Sequence, residues 1–320
     1  MKRFAVLLTL SAAPFAMAAI ACAAEMPSWA YPLNPAQPVI RTKDDGQPQH
    51  VPNSNVALTR KEIAARGSVP DWHPDDHPAM PDVVAKGREP DVRACGYCHT
   101  PSGQGRPENA SLAGLTPGYI KQQIQNFRNG DRKGSEPKRA PQTLMMGIAK
   151  SVSDADVEAA AAYFSSIKPV SFVKVVEAAS VPKTTVVGGM MAKHPEGGTE
   201  PIAGRIIEVP DSTDLAELRD ARTMFTAYVP VGALKKGEAL VTTGGGGKTL
   251  QCAICHGPDL KGFGDVPRIA GRSPSFLIRQ LYDIQAGTRS GSAALMKQVV
   301  AKLDNDDMVA IAAYVASKEP

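Results

Sequence analysis

The chain has 320 residues, 43% hydrophobic and 21% charged, enough for two ordinary globular cores and unlike a disordered, collagen-like or coiled-coil protein. Its 36 lysines and arginines against 32 aspartates and glutamates give a formal net charge of +4, too small to imply nucleic acid or a membrane surface as partner.

Residues 1–24 begin with Lys2 and Arg3, run apolar and small from Phe4 to Ala24, and stop at Glu25. They read as a secretory signal peptide cut after Ala24. The alternative is a lipoprotein signal, Ala19-Ile20-Ala21-Cys22, with a lipid anchor at Cys22. Both readings export the protein, and a periplasmic location is expected. No later run is apolar for long enough to span a bilayer. Residues 25–80, rich in proline and polar side chains without a clear period, read as an extended arm. Within it, Asp71-Trp72-His73-Pro74-Asp75-Asp76-His77 carries the letters of a metal site, but its prolines favour a turn-rich loop that packs Trp72.

Four cysteines follow Cys22, and their spacing argues against a disulfide framework. Cys95-Gly-Tyr-Cys98-His99 and Cys252-Ala-Ile-Cys255-His256 each pair two thiols across two residues and end at once in histidine. This is the attachment pattern of c-type haem: two thiols add to the two vinyl groups, and the next imidazole lies under the iron. A thiol–disulfide oxidoreductase needs one such pair and no histidine. A four-cysteine zinc site needs no histidine either. Two covalently bound haem c groups are therefore expected.

The repeat extends beyond the motif. Leu112-Ala113-Gly114 corresponds to Ile269-Ala270-Gly271, and Gly130-Asp131-Arg132 to Gly287-Thr288-Arg289. After a short insertion between Arg132 and Met145 in the first copy, Met145 corresponds to Met296 and Ala161-Ala162-Tyr163 to Ala312-Ala313-Tyr314. Each copy closes in a predicted helix, from a capped start at Ser153 to Ile167 and from Asp304 to Ser317.

Tandem units of CxxCH, a small-residue turn, a helix ending in GxR, a distal methionine and a closing AAY helix resemble the two-domain, dihaem class I cytochromes c. The resemblance implies a mainly α fold of two tandem cytochrome c domains, 81–169 and 232–320. It also implies His/Met ligation, by His99 with Met145 and by His256 with Met296, and thioether attachment at Cys95, Cys98, Cys252 and Cys255. Such ligation fills both axial positions and raises the potential. Met146, adjacent to Met145, reads as core, and so do Met190, Met191 and Met224. In this family Gly87 would pack against Tyr163, and Pro267 would accept a hydrogen bond from the proximal imidazole. The first unit has Ala110 in that place, which leaves His99 less firmly oriented than His256.

Residues 170–231 contain β-branched runs, Thr184–Val187 and Ile206–Val209, punctuated by glycine pairs, and predict a small β-hairpin insert between the domains. The functional expectation is an electron-transfer protein without a substrate of its own. It would take single electrons from a periplasmic dehydrogenase or quinol-oxidising complex and pass them to a terminal acceptor or oxidase. A dihaem peroxidase or a haem subunit of a dehydrogenase complex is the enzymatic alternative, and a peroxidase needs an exchangeable distal position where both units offer methionine. The basic insertion, with Lys133, Lys138 and Arg139, is expected to steer an acidic redox partner onto the first haem.

Overall fold

The computed structural model describes residues 24–36 and 44–320. Residues 1–23 of the predicted signal segment, Cys22 among them, lie outside the described residues.

Two helical units follow the repeat closely. In the first, α2 (Asp82–Ala85) and α3 (Cys95–His99) lead to α4 (Pro117–Asn129), α5 (Ala140–Ser151) and the closing α6 (Asp154–Ser166). In the second, α8 (Ala233–Thr243), α9 (Ala253–His256), α10 (Pro274–Ala286), α11 (Met296–Val300) and α12 (Asn305–Ala316) take the same roles. Local chemistry sets the boundaries in both copies. The side chains of Thr116 and Ser273 cap α4 and α10, proline takes the first helical position, and Gly130 and Gly287 end the helices in the left-handed conformation. Ser153 caps α6, and Asp304 with Asp307 forms a capping box on α12.

Each small-residue turn clamps onto its closing helix: Gly114 N–H donates to Phe164 O (3.0 Å) and Gly271 N–H to Val315 O (3.1 Å). The cores sit between these helices. One gathers Val83, Val84, Leu115, Ile120, Val157 and Phe164, the other Leu240, Ile278, Met308, Val309 and Ile311.

The closing helices are packed differently. In the second unit Gly237 on α8 lies so close to α12 that a Cβ there would stand 2.0 Å from Ala310 O and 2.7 Å from Tyr314 Cβ. Gly87 has no such role. It sits beyond the four-residue α2 at a φ of +69°, crowded by Val92 and Ala94 of its own loop, because α2 is too short to lie along α6.

The segment between the units is larger than a hairpin. Thr184–Val187 (β5) does pair with Met190–Lys193 (β6) across Gly188-Gly189. Around them, Val173–Glu177 (β3) runs parallel to Phe225–Val229 (β9), and Ile207–Pro210 (β8) pairs antiparallel on the other side of β9. A further ladder joins Ser180–Pro182 (β4) to Thr199–Pro201 (β7), and a short helix, α7 (Thr213–Glu217), precedes β9. Met190 is buried here, whereas Met224 is exposed and does not pack as expected.

The arm forms a two-residue ladder, β1 (Pro48–Gln49) with β2 (Leu58–Thr59), and a short helix, α1 (Arg60–Ala64). Trp72 is buried and its indole N–H donates to Leu218 O at 2.7 Å, fastening the arm to the insert. His73 and His77 pair with Asp220 (3.0 Å) and Asp71 (3.1 Å), the ordinary partnering of loop histidines. Among the described residues no cluster of three or more metal-ligating side chains occurs, and no helix is long and apolar enough to cross a membrane.

Candidate haem sites

The two CxxCH turns hold their imidazoles through the same hydrogen bond. His99 Nδ1–H donates to Ala110 O and His256 Nδ1–H to Pro267 O, both at 2.8 Å. The expected looseness of His99 is therefore absent, because a backbone carbonyl needs no proline to accept. Burial pulls both imidazoles below their ordinary pKa. Each is thus neutral, with Nδ1 carrying the proton and Nε2 left with its lone pair for a metal. Gly105 and Gly262 donate to the carbonyls of His99 and His256 at 2.9 and 2.8 Å and hold the loop against the turn.

His99 opens onto a cleft of about 760 Å³, walled by Leu112, Leu115, Tyr119, Ile120 and Phe127 and faced by Met145. Met146 is not part of this wall. Met296, at the start of α11, is half-buried against the second core.

The far wall of the cleft comes from the second unit and is cationic: Arg272 and Arg279 reach in beside Arg132 and Arg139. All four are buried, as is Arg268. Burial lowers Arg132, Arg139 and Arg268 to about 9, helped by the neighbouring guanidiniums of Arg289, Arg279 and Arg272 respectively. Backbone oxygens take part of their hydrogen-bonding capacity; Arg272 donates to Ser111 O at 2.7 Å and Arg139 to Glu108 O at 3.3 Å. Among the described residues, the Nε atoms of Arg139, Arg268, Arg272 and Arg289 have no hydrogen-bond partner. Buried, mutually repelling guanidiniums with spare donors call for anions, and the propionates of haem are such anions. Apolar walls, a neutral imidazole, a facing thioether and this arginine cluster together fit haem.

Near local two-fold symmetry organises the interface. Lys133 N–H donates to Thr288 O (2.8 Å), and the repeat-related Ser290 N–H donates to Asp131 O (2.7 Å). Between them Arg132 and Arg289 form an antiparallel bridge. Each guanidinium bonds the glutamine of its own unit, Gln123 (2.9 Å) or Gln280 (2.8 Å), and reaches the other's more loosely.

The insertion after Arg132 does not form a free docking loop. Ser135 donates through both its N–H and its hydroxyl to Asp283 of α10 (2.9 and 2.7 Å), and Arg139 is turned inward. Lys133 and Lys138 alone of the expected steering group are exposed. Sequence reasoning also passed over Arg268, Arg272 and Arg279. The available signal was the pair of arginines flanking Ile269-Ala270-Gly271.

The cytochrome c family profile matches residues 84–168. Cytochrome c-554(548) of Halomonas halodenitrificans is 35% identical over 79 residues, 24% of this chain and 89% of its own. Cytochrome c4 of Azotobacter vinelandii is 27% identical over 231 residues, covering 69% of this chain and 82% of its own. The thiosulfate dehydrogenase electron acceptor of Thiomonas intermedia (strain K12) is 26% identical over 234 residues, 72% of this chain and 80% of its own.

The chain belongs to the cytochrome c family. Within it, the tandem units make it a two-domain, dihaem electron-transfer cytochrome with two covalently bound haem c groups.

Proposed function

We propose that the protein is a periplasmic one-electron carrier. His99 and Met145 hold the iron of the first haem and His256 and Met296 that of the second, while Cys95, Cys98, Cys252 and Cys255 make the thioether bonds. The functional units on this reading are 81–169 and 232–320. Its main support is the pairing of a neutral His99, its Nδ1–H committed to Ala110 O, with Met145 across one apolar cleft.

Bound haem supplies the one-electron couple. The protein orients each imidazole through its carbonyl partner, which also raises the basicity of Nε2. Met145 and Met296 would supply thioether ligands to the iron, so that no ligand need enter or leave, and this favours electron transfer over peroxide chemistry. Arg132, Arg139, Arg272 and Arg279, which line the first cleft, would neutralise the propionates. The donor is a periplasmic dehydrogenase or quinol-oxidising complex and the recipient a terminal acceptor or oxidase. A relative named as the electron acceptor of thiosulfate dehydrogenase supports a dehydrogenase on the donor side.

The test is the iron-to-protein ratio after denaturing electrophoresis with haem staining, expected to be two, together with spectra of distal variants. Met145→Ala is expected to abolish the methionine–iron charge-transfer band of one haem and lower its potential, and Met296→Ala to do so for the other. The same effect from Met146→Ala, with none from Met145→Ala, would overturn the assignment.

A further inference from the structure

The repeat places Ser111 and Arg268 at equivalent positions. Each directly follows the residue whose carbonyl accepts from a proximal imidazole, Ala110 for His99 and Pro267 for His256. One side chain holds both positions. The guanidinium of Arg272 donates through one terminal nitrogen to Ser111 O at 2.7 Å and through the other to Arg268 O at 3.3 Å. It therefore bridges the two histidine-holding loops across the contact between the units. The same contact is tied a second time, since the Arg268 guanidinium reaches Ser111 Oγ at 3.3 Å and Ala113 O at 3.4 Å.

The first unit does not reciprocate. The equivalent of Arg272 there is Leu115, part of the first core, so two like loops are served by one residue from one copy. Arg272 is 4% exposed, and its Cζ lies 4.9 Å from the Phe276 ring centroid, a cation–π contact that steadies the fork. Among the described residues no carboxylate forms an ion pair with it. Burial is the main reason that both imidazoles sit below their ordinary pKa; the Arg272 charge adds to it at His99, jointly with Arg132, and at His256 as well. A buried charge acts through a lower effective dielectric constant than water, so it reaches further than a surface arginine would.

We propose that Arg272 is a positioning residue shared by the two haems, holding one positive charge beside both proximal histidines and so raising both reduction potentials. The inference rests on the two-haem reading above. Oxidation adds a positive charge at the iron, and a fixed cation close to its histidine opposes that charge, which favours the ferrous form. Because the guanidinium is fastened to both loops at once, neither unit can relax away from it. Arg139 differs. It lines the first cleft, but its bonds go to Glu108 O and Gly189 O rather than to the loop of Pro267. Its charge therefore serves the first haem.

The test is a redox titration of the holoprotein followed by proton NMR, with the methionine-ligand signal of each reduced haem assigned through Met145→Ala and Met296→Ala. Arg272→Gln is expected to lower the reduction equilibrium constant of both haems at least about threefold, or about 28 mV at 59 mV per tenfold for one electron. Arg272→Met removes the charge while filling the same buried space, and it gives the same comparison should the glutamine variant fail to load haem. Arg272→Lys, which keeps the charge without the fork, is expected to recover at least half of the fall at both haems. Arg139→Gln should lower the first haem more than the second. A smaller fall at either haem in the neutral variants, less recovery by lysine, or a fall at the second haem as large as at the first in Arg139→Gln overturns the proposal. A haem content other than two, or the absence of two methionine-ligand signals in the wild type, would instead overturn the reading beneath it.

Discussion

Replacing Gly237 by alanine tests how closely the second unit is packed. The new methyl group would begin 2.0 Å from a backbone oxygen of α12 and 2.7 Å from the Tyr314 Cβ, and neither can rotate away. Relief requires α8 and α12 to move apart by about 1 Å, which puts the cost near the top of the roughly 1–3 kcal/mol of overpacking. Alanine regains about 1 kcal/mol of helix propensity. The net expectation is a loss of about 2 kcal/mol, or a fall in Tm of about 3 °C for a protein of this size. Gly147 on α5 is the control: nothing lies within 4 Å of its would-be Cβ. Gly147→Ala should therefore hold or raise Tm. Thermal unfolding of the holoproteins by far-UV circular dichroism, at matched haem content, gives the comparison. If Gly237→Ala melts at or above the wild-type temperature, the close approach of the two helices is not as described.

Trp72→Ala should cost about 3–5 kcal/mol by emptying a buried aromatic site, and Trp72→Phe about 1–2 kcal/mol for the lost bond to Leu218 O. Urea unfolding measures both, and limited proteolysis should show the arm released in the alanine variant. Asp307 supplies an acid-dependent effect. Burial pushes its carboxyl upward, but bonds from Lys248 and Lys236 outweigh this and hold it below the ordinary aspartate value. Its contribution is thus complete above the unfolded pKa of about 3.9 and disappears as pH falls through the lower folded value. Asp307→Asn should flatten that acid limb of the stability curve, and an unchanged limb would show that the lysines contribute nothing there.

What the sequence disclosed was carried by short-range chemistry. The CxxCH turns, the Ser153 and Asp304 caps and the glycine-terminated helices ending at Gly130 and Gly287 are each specified within a few residues, and duplication made each of them recognisable twice. Ala110 and Pro267 act through the same backbone atom, so the change of side chain carried no consequence for the histidine. Misread features depended on distant partners. Lys133, Lys138 and Arg139 look alike in sequence, but only contact with the second unit turns Arg139 inward. Gly87 has the right position for helix packing but lacks a helix long enough to use it. The insert announced its strands through Thr184–Val187 and Ile206–Val209, while the parallel pairing of β3 with β9, separated by some fifty residues, had no local signature.

The reciprocal bonds between residues 131 and 290 and between 133 and 288 have the form of an isologous contact, in which each copy gives the other what it receives. Two separate copies would have to find one another, and their association would weaken on dilution. Here one chain carries both halves, so the local concentration of each for the other, of millimolar order for short flexible tethers, does not depend on how much protein is present. A contact centred on two reciprocal backbone bonds and a pair of repelling arginines can then persist at any expression level, and the two copies are free to diverge elsewhere without losing each other.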